Sequence, residues 1–178
     1  MIQKRLLPAL WGLAMIVAAG ACERTPDASE DPAPPSLGLT GGAADLESLA
    51  RIVVEAIGRT DTAALEALRL TEHEHNDLVF PRLPAGQPPQ NFPVDIAWAN
   101  IRTRNSVAVL RLLDRYGGKR LALETVECVG ETQRFEGFEV ATDCWTEFAD
   151  SAGSRHRAQL FRHALSADGR YKLFRYYD

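Results

Sequence analysis

The hydrophobic pattern of the chain changes at Gly117-Gly118, and this change limits the possible folds more than any other feature of the sequence. Before it, apolar residues recur at the three- and four-residue spacing of one face of an α-helix. After it, apolar and polar residues alternate, and β-branched and aromatic residues are frequent, as in half-buried strands. This order predicts an α+β domain, with N-terminal helices packed on one face of a curved four-stranded antiparallel sheet.

Residues suited to helix starts divide the first part of the chain into three short helical segments and a long one. The predicted segments run from 46 to about 59, across Ala64–Leu68, from 72 to 80 and from about 94 to 116. Asp45 and either Thr60 or Asp61 are the expected N-caps of the first two. Thr71 and Glu74 form a capping box at the third, in which each side chain bonds the other residue's backbone N–H.

Four strands are predicted after the glycine pair. Their ranges are about 119–127, 138–148, 155–166 and 170–177. Asp168-Gly169, between the last two, is typical of a two-residue hairpin turn. Residues 81–93 hold five prolines and are predicted to form a loop. The loop is long for a connection without secondary structure, which favours a role as the rim or lid of a site.

The N-terminal segment is basic, then apolar, and ends in small residues and a cysteine. Lys4 and Arg5 precede sixteen uncharged residues, and the run closes with Ala19-Gly20-Ala21-Cys22. This pattern is typical of a secretory signal peptide, and the run is shorter than the roughly 20 apolar residues of a membrane-spanning helix. The last four residues resemble the lipobox of bacterial lipoproteins.

The lipobox resemblance implies an address. Cys22 would be acylated and would become the first residue of the mature chain, which a lipid anchor then holds at the membrane. Glu23 implies, by the same resemblance, the periplasmic face of the outer membrane if the host is Gram-negative. The alternative is a signal peptide cut elsewhere, with Cys22 as an ordinary thiol.

The chain then divides into a signal peptide, 1–21, a lipidated disordered tether, 22–44, and a single domain, 45–178. The tether is rich in proline and glycine and poor in bulky apolar residues, so it cannot bury a core of its own. The domain has about the commonest size of a single folded unit. The full chain carries a formal charge of −4, which argues against a nucleic-acid partner, since such a partner requires a basic surface.

Cys128 and Cys144 are left as a pair if Cys22 carries lipid. They fall in two consecutive strand-like segments of a chain placed in an oxidising compartment, so a disulfide between them is expected. Two buried free thiols are the alternative.

The order of the elements, helices first and an antiparallel series of strands after them, resembles the cystatin-like, NTF2-like cone fold. In that family, helices wrap a bent sheet around a pocket, so the resemblance implies a ligand cavity. An unrelated layered α+β domain is the alternative.

The densest group of chemically active side chains surrounds His73 and His75, within Glu72–Asp77. Imidazole and carboxylate together can bind zinc or supply a general base. His73 and Asp77 share a helix face at i, i+4, whereas His75 points elsewhere. A solvated first helical turn explains the same residues without a ligand.

The long predicted helix offers Asp95 and Trp98 as ligand-binding candidates, with Trp98 as the floor of a cavity in a cone fold. Each also has a purely structural explanation. Trp98 fits a core position, and Asp95 is favoured by the positive end of the helix dipole. Asn105 interrupts the apolar stripe, so a kink that divides the helix in two stays open.

The last hairpin places two cations together. If Asp168-Gly169 is a two-residue turn, Arg162 lies directly opposite Arg175. Two opposed guanidinium groups are unfavourable unless a protein carboxylate or a bound anionic ligand lies between them. The alternative is that both side chains extend into water.

We find no glycine-rich phosphate loop, paired-cysteine metal motif or nucleophile elbow, so no cofactor, resident metal or catalytic residue is predicted. The sequence therefore favours a non-catalytic envelope lipoprotein that binds a small molecule or an envelope protein. A cone-fold enzyme of isomerase or hydrolase type, with a base from His73, His75 or Asp95, is the first alternative. A metal-binding lipoprotein is the second.

Overall fold

The structure, a computed structural model, describes residues 36–177. The predicted signal peptide, Cys22 and most of the predicted tether lie outside the described residues. Within them, none of the helices combines the length and the hydropathy that a membrane-spanning helix needs.

Residues 36–177 form four helices before the strands. They are α1 (Leu46–Gly58), α2 (Thr62–Ala67), α3 (Glu74–Val79) and α4 (Val94–Tyr116). The predicted N-caps are confirmed, because the carboxylate of Asp45 accepts a hydrogen bond from Ser48 N, and that of Asp61 from Ala64 N. The third predicted segment is helical from 72 to 79, and its part Glu74–Val79 is wider than an α-helix, with Phe80 N bonded to His75 O five residues earlier. The long helix continues through Asn105 without a break.

The capping box at α3 is confirmed in both directions. Glu74 N donates to Thr71 Oγ1 at 3.1 Å, and Thr71 N donates to Glu74 Oε2 at 2.8 Å. Two short 3₁₀ turns, Phe80–Arg82 and Pro84–Gly86, follow α3 and begin the proline-rich loop.

The α+β class is confirmed, but the single four-stranded sheet is corrected to two antiparallel sheets within the described residues. The strands are β1 (Leu121–Cys128), β2 (Gln133–Phe135), β3 (Phe138–Thr142), β4 (Cys144–Asp150), β5 (Arg155–Ala158), β6 (Phe161–Ala167) and β7 (Arg170–Tyr176). One sheet has the order β1-β4-β5 and the other β2-β3-β6-β7. The predicted strand 138–148 breaks at Asp143, whose φ of 51° cannot continue a strand. The predicted strand 155–166 divides between Ala158 and Phe161. Each of these two predicted strands therefore contributes one strand to each sheet: β3 and β6 belong to the four-stranded sheet, and β4 and β5 to the three-stranded sheet.

Both faces of the four-stranded sheet contribute to apolar clusters. Successive strand residues point to opposite faces, so Ala164 packs into an apolar cluster with α1, while Leu165 packs into a second cluster. The second cluster includes Leu37 and Leu39, which are 4% and 6% exposed.

The start of the packed chain is corrected as well. Ala43 N and O both bond the backbone of Tyr171, at 2.9 and 2.7 Å. Together with the burial of Leu37 and Leu39, this pairing makes residues 36–44 part of the folded unit. The boundary predicted at 45 is wrong because these apolar side chains cover a sheet face instead of extending into solvent.

Candidate functional site

A pocket of about 810 Å³ lies between the proline-rich loop and the four-stranded sheet. We name it the sheet pocket. Six apolar residues form much of its wall: Leu83, Pro84, Ala85, Phe135, Val140 and Phe174. The loop therefore lines a pocket, in agreement with the role that its length favours. The volume is within the roughly 300–1,000 Å³ typical of small-molecule sites.

His163 is a half-buried polar residue in the wall of the sheet pocket, and it lies on β6, an inner strand of the four-stranded sheet. It pairs with Thr142 of β3 on one side and with Arg175 of β7 on the other. Burial lowers the pKa of His163, and the positive charges of Arg162 and Arg175 lower it further, against the opposing charge of Asp143. The imidazole is therefore neutral at neutral pH and offers one donor and one acceptor nitrogen to a ligand.

The remaining polar lining lies at the mouth of the pocket, on residues 131–134 and Gln90, which are all exposed. Arg134 donates to Glu139 at 2.8 Å, so its charge is already paired. The deeper part of the pocket thus combines apolar walls with the neutral His163.

His75 and Trp98, both candidates from the sequence, come together beside the sheet pocket. Their ring centroids are 5.3 Å apart, and His75 also contacts Phe80 at 5.4 Å and Phe174 at 6.4 Å. Phe174 lines the pocket, whereas His75 and Trp98 do not, so Trp98 is a core residue and not the floor of the cavity.

The two rings carry buried nitrogens. Among the described residues, His75 Nε2 and Trp98 Nε1 have no hydrogen-bond partner, while His75 Nδ1 lies 2.6 Å from Asn76 Oδ1. Burial lowers the pKa of His75, against the opposing effect of the hydrogen bond with Asn76. Buried nitrogens of this kind commonly bind ordered water.

Two other candidates lie away from the pocket. His73 is exposed, with Nδ1 2.7 Å from Asp77 Oδ2, which confirms that these two side chains share a helix face. Asp95 is exposed near the start of α4. Neither residue lines the sheet pocket, and neither does His75, so a base for the enzyme alternative would have to come from His163 or Glu131, which do line it.

Metal ligands do not converge in the described part of the chain. No group of three or more His, Cys, Asp or Glu side chains there is arranged to hold a metal ion. His73 and Asp77 form a pair without a third ligand of these types, and His75 is turned into the aromatic cluster.

A buried ion pair joins α3 to β7. Lys172 Nζ lies 2.6 Å from Glu74 Oε2, and the two side chains are 1% and 3% exposed. Glu74 also accepts from the backbone N–H groups of Thr40 and Thr71, and Lys172 donates to Thr40 O. Burial alone would raise the pKa of Glu74, but the hydrogen bonds from Lys172, Thr40 and Thr71, with the charge of Lys172, lower it to about 2.

The arginine pair is not arranged as predicted. The Asp168-Gly169 turn and the register from Ala164 to Ala167 are as predicted, but the ladder shifts near His163, so that residue lies opposite Arg175. Arg162 instead donates through Nε to Asp143 Oδ1 at 3.0 Å. The irregularity in β6 takes Arg162 out of direct register with Arg175, and the carboxylate of Asp143 pairs with Arg162.

The disulfide between Cys128 and Cys144 is confirmed. The two cysteines lie directly opposite each other on β1 and β4. Cys144 is fully buried, so the bond ties an outer strand of the three-stranded sheet to the core.

Comparison of the chain with models of known protein families, with curated proteins and with solved structures finds no match. The function therefore has to be argued from the pocket and the sequence.

Proposed function

We propose that this chain is a bacterial envelope lipoprotein whose folded part binds a small, mainly apolar molecule in the sheet pocket. The observation that carries the proposal is the pocket itself, with apolar walls and one neutral, half-buried imidazole. Sites for small ligands have this composition, with few polar groups that fix orientation. Binding of an envelope protein at the same rim is the alternative within this class.

The chemistry of the wall selects the ligand. Phe135, Val140 and Phe174 favour a flat apolar body, and His163 can bond one neutral polar group. An aromatic ligand with one neutral hydrogen-bonding group therefore matches this wall.

Binding of a neutral aromatic amide tests the pocket. We expect 2-naphthamide to bind the full-length chain in saturation-transfer NMR, and His163→Leu to weaken it roughly ten-fold, the effect of one lost hydrogen bond. Ala85→Trp should abolish binding, because the larger side chain fills the pocket from its loop side.

The matched control is His73→Leu, the same substitution at an exposed histidine outside the pocket. It should leave the affinity unchanged. If the affinity for 2-naphthamide is the same in Ala85→Trp and His163→Leu as in the unaltered chain, the ligand does not occupy the sheet pocket and the proposal fails.

The proposed localisation in the envelope depends on Cys22, and its test is independent of the pocket. In a Gram-negative host we expect the chain to incorporate labelled palmitate and to sediment with membranes, and Cys22→Ser to abolish the label completely. A double variant, Cys128→Ser with Cys144→Ser, keeps Cys22 and should keep the label. Unchanged labelling of Cys22→Ser would show that the lipobox interpretation is wrong.

The likeness to an NTF2-like cone is part of the same proposal. Two features support it. The sheet pocket lies between the proline-rich loop and strands, and the predicted strands 138–148 and 155–166 each run from one sheet into the other.

A further inference from the structure

A second pocket, of about 520 Å³, lies where the last turns of α4 face β4, β5 and the end of β7. We name it the arginine pocket. Its described lining includes Arg111 and Arg115 from α4 and Arg157 from β5. The two helix arginines are four residues apart and so share a helix face. Three arginines thus line one hollow of a chain whose formal net charge is −4.

Aromatic rings hold two of these cations in position. The guanidinium carbon of Arg157 lies 5.1 Å from the ring centroid of Trp145. Arg115 lies 5.9 Å from the ring centroid of Tyr116, and Lys119 Nζ lies at the same distance from that ring. Cations over aromatic faces are attracted by the ring electrons, which favours these positions of the two guanidinium groups.

Arg157 is paired with two carboxylates. Its Nη2 donates to Glu127 at 3.0 Å, and its Nε lies 3.6 Å from Glu147. Within residues 36–177, Arg115 and Lys119 form no ion pair with a carboxylate. Arg115 is therefore the cation that an added anion would neutralise, because Arg157 is already paired.

We propose that the arginine pocket is a binding site for a phosphate ester. Guanidinium groups match the paired oxygens of phosphate, and Trp145 and Tyr177 in the wall offer flat faces to the organic part of the ester. This site is separate from the sheet pocket, shares none of its lining residues and goes beyond the proposed function. The ester can be a soluble metabolite or the headgroup of a phospholipid.

Calorimetric titration of the purified full-length chain tests the site and separates these two sources. The probes are phenyl phosphate, inorganic phosphate and glycerophosphoglycerol, the water-soluble headgroup of phosphatidylglycerol. We expect phenyl phosphate or glycerophosphoglycerol to bind saturably at low salt. Tighter binding of phenyl phosphate indicates a soluble aromatic ester, and tighter binding of glycerophosphoglycerol indicates a lipid headgroup.

Arg115→Gln should weaken binding of the preferred ester roughly ten- to hundred-fold, the effect of losing a charge-assisted hydrogen bond. Arg115→Lys, which keeps the charge but loses the paired N–H donors of the guanidinium group, should weaken binding less. Trp145→Leu should weaken phenyl phosphate a few-fold more than inorganic phosphate, because only the ester can stack.

The matched control is Arg104→Gln, on the same helix and bonded to Asn100 outside the pocket. It should bind like the unaltered chain. Thermal unfolding of each variant establishes that it is folded before titration. Absence of binding by all three probes would overturn the proposal, as would equal weakening in Arg104→Gln and Arg115→Gln.

Discussion

Replacing Lys172 with methionine should lower the free energy of unfolding by about 3–5 kcal/mol, because it leaves the Glu74 carboxylate buried without its cation. Both side chains are almost completely buried, so water cannot replace the lost partner. Methionine fills a similar volume, which keeps the loss electrostatic. Chemical denaturation at pH 7 measures the difference.

Two further variants separate the charge from the packing. Lys119→Met makes the same substitution at an exposed lysine and should change the stability by less than about 0.5 kcal/mol. The double variant Lys172→Met with Glu74→Gln should be more stable than Lys172→Met alone, since it buries no unpaired charge. If Lys172→Met proves as stable as Lys119→Met, the buried pair does not exist as described.

The same pair gives the sign of the pH dependence. The pKa of Glu74 is lowered from 4.5 to about 2 in the folded chain. A carboxyl of this kind contributes stability that is complete above its ordinary pKa and is lost as the pH falls from about 4.5 towards 2. The difference between the unaltered chain and Lys172→Met should therefore shrink as the pH falls from about 4.5 towards 2, because the unaltered chain loses this stability over that range, whereas burial without Lys172 raises the pKa of Glu74 in the variant.

Features fixed by neighbouring residues could be predicted from the sequence. The N-caps at Asp45 and Asp61, the capping box at Glu74 and the turn at Asp168-Gly169 each depend on residues within four positions. The residue types alone favour these local geometries, and the structure contains all of them.

Features that depend on distant contacts could not. Asn105 interrupts the stripe of α4 because its Oδ1 accepts from Tyr176 N at 2.8 Å, which caps the edge of β7. Glu74 meets a lysine 98 positions away. No local pattern indicates either partner, so a kink and a solvated helix start were the natural interpretations.

The candidate site was predicted only in part, because it too depends on distant contacts. The place of the loop at the pocket was predicted from its length, whereas His163 reaches the sheet pocket through the register of β6 between β3 and β7. The sequence signal for this position was that His163 stands two residues before Leu165, because residues two apart in a strand point to the same face of the sheet. The shift in the β6–β7 ladder moved Arg162 from Arg175 to Asp143, and strand irregularities of this kind have no reliable sequence mark.

The second large effect expected is the loss of the disulfide. Cys128→Ala with Cys144→Ala should lower the free energy of unfolding by about 3 kcal/mol, because the cross-link closes a short loop and limits the unfolded chain. The cysteines are 16 residues apart. The loss acts on β1, an outer strand of its sheet that pairs with β4.

Reduction of the unaltered chain provides the comparison that identifies the cause. Reductant should lower the denaturation midpoint of the unaltered chain towards that of the double alanine variant, and should leave the variant itself unchanged. Val129→Ala, a truncation at the exposed neighbour of Cys128, should have little effect under either condition. A midpoint that does not respond to reductant would mean that the thiols are not bonded. That result would also remove one argument for an oxidising compartment, since paired cysteines persist where thiols are not kept reduced.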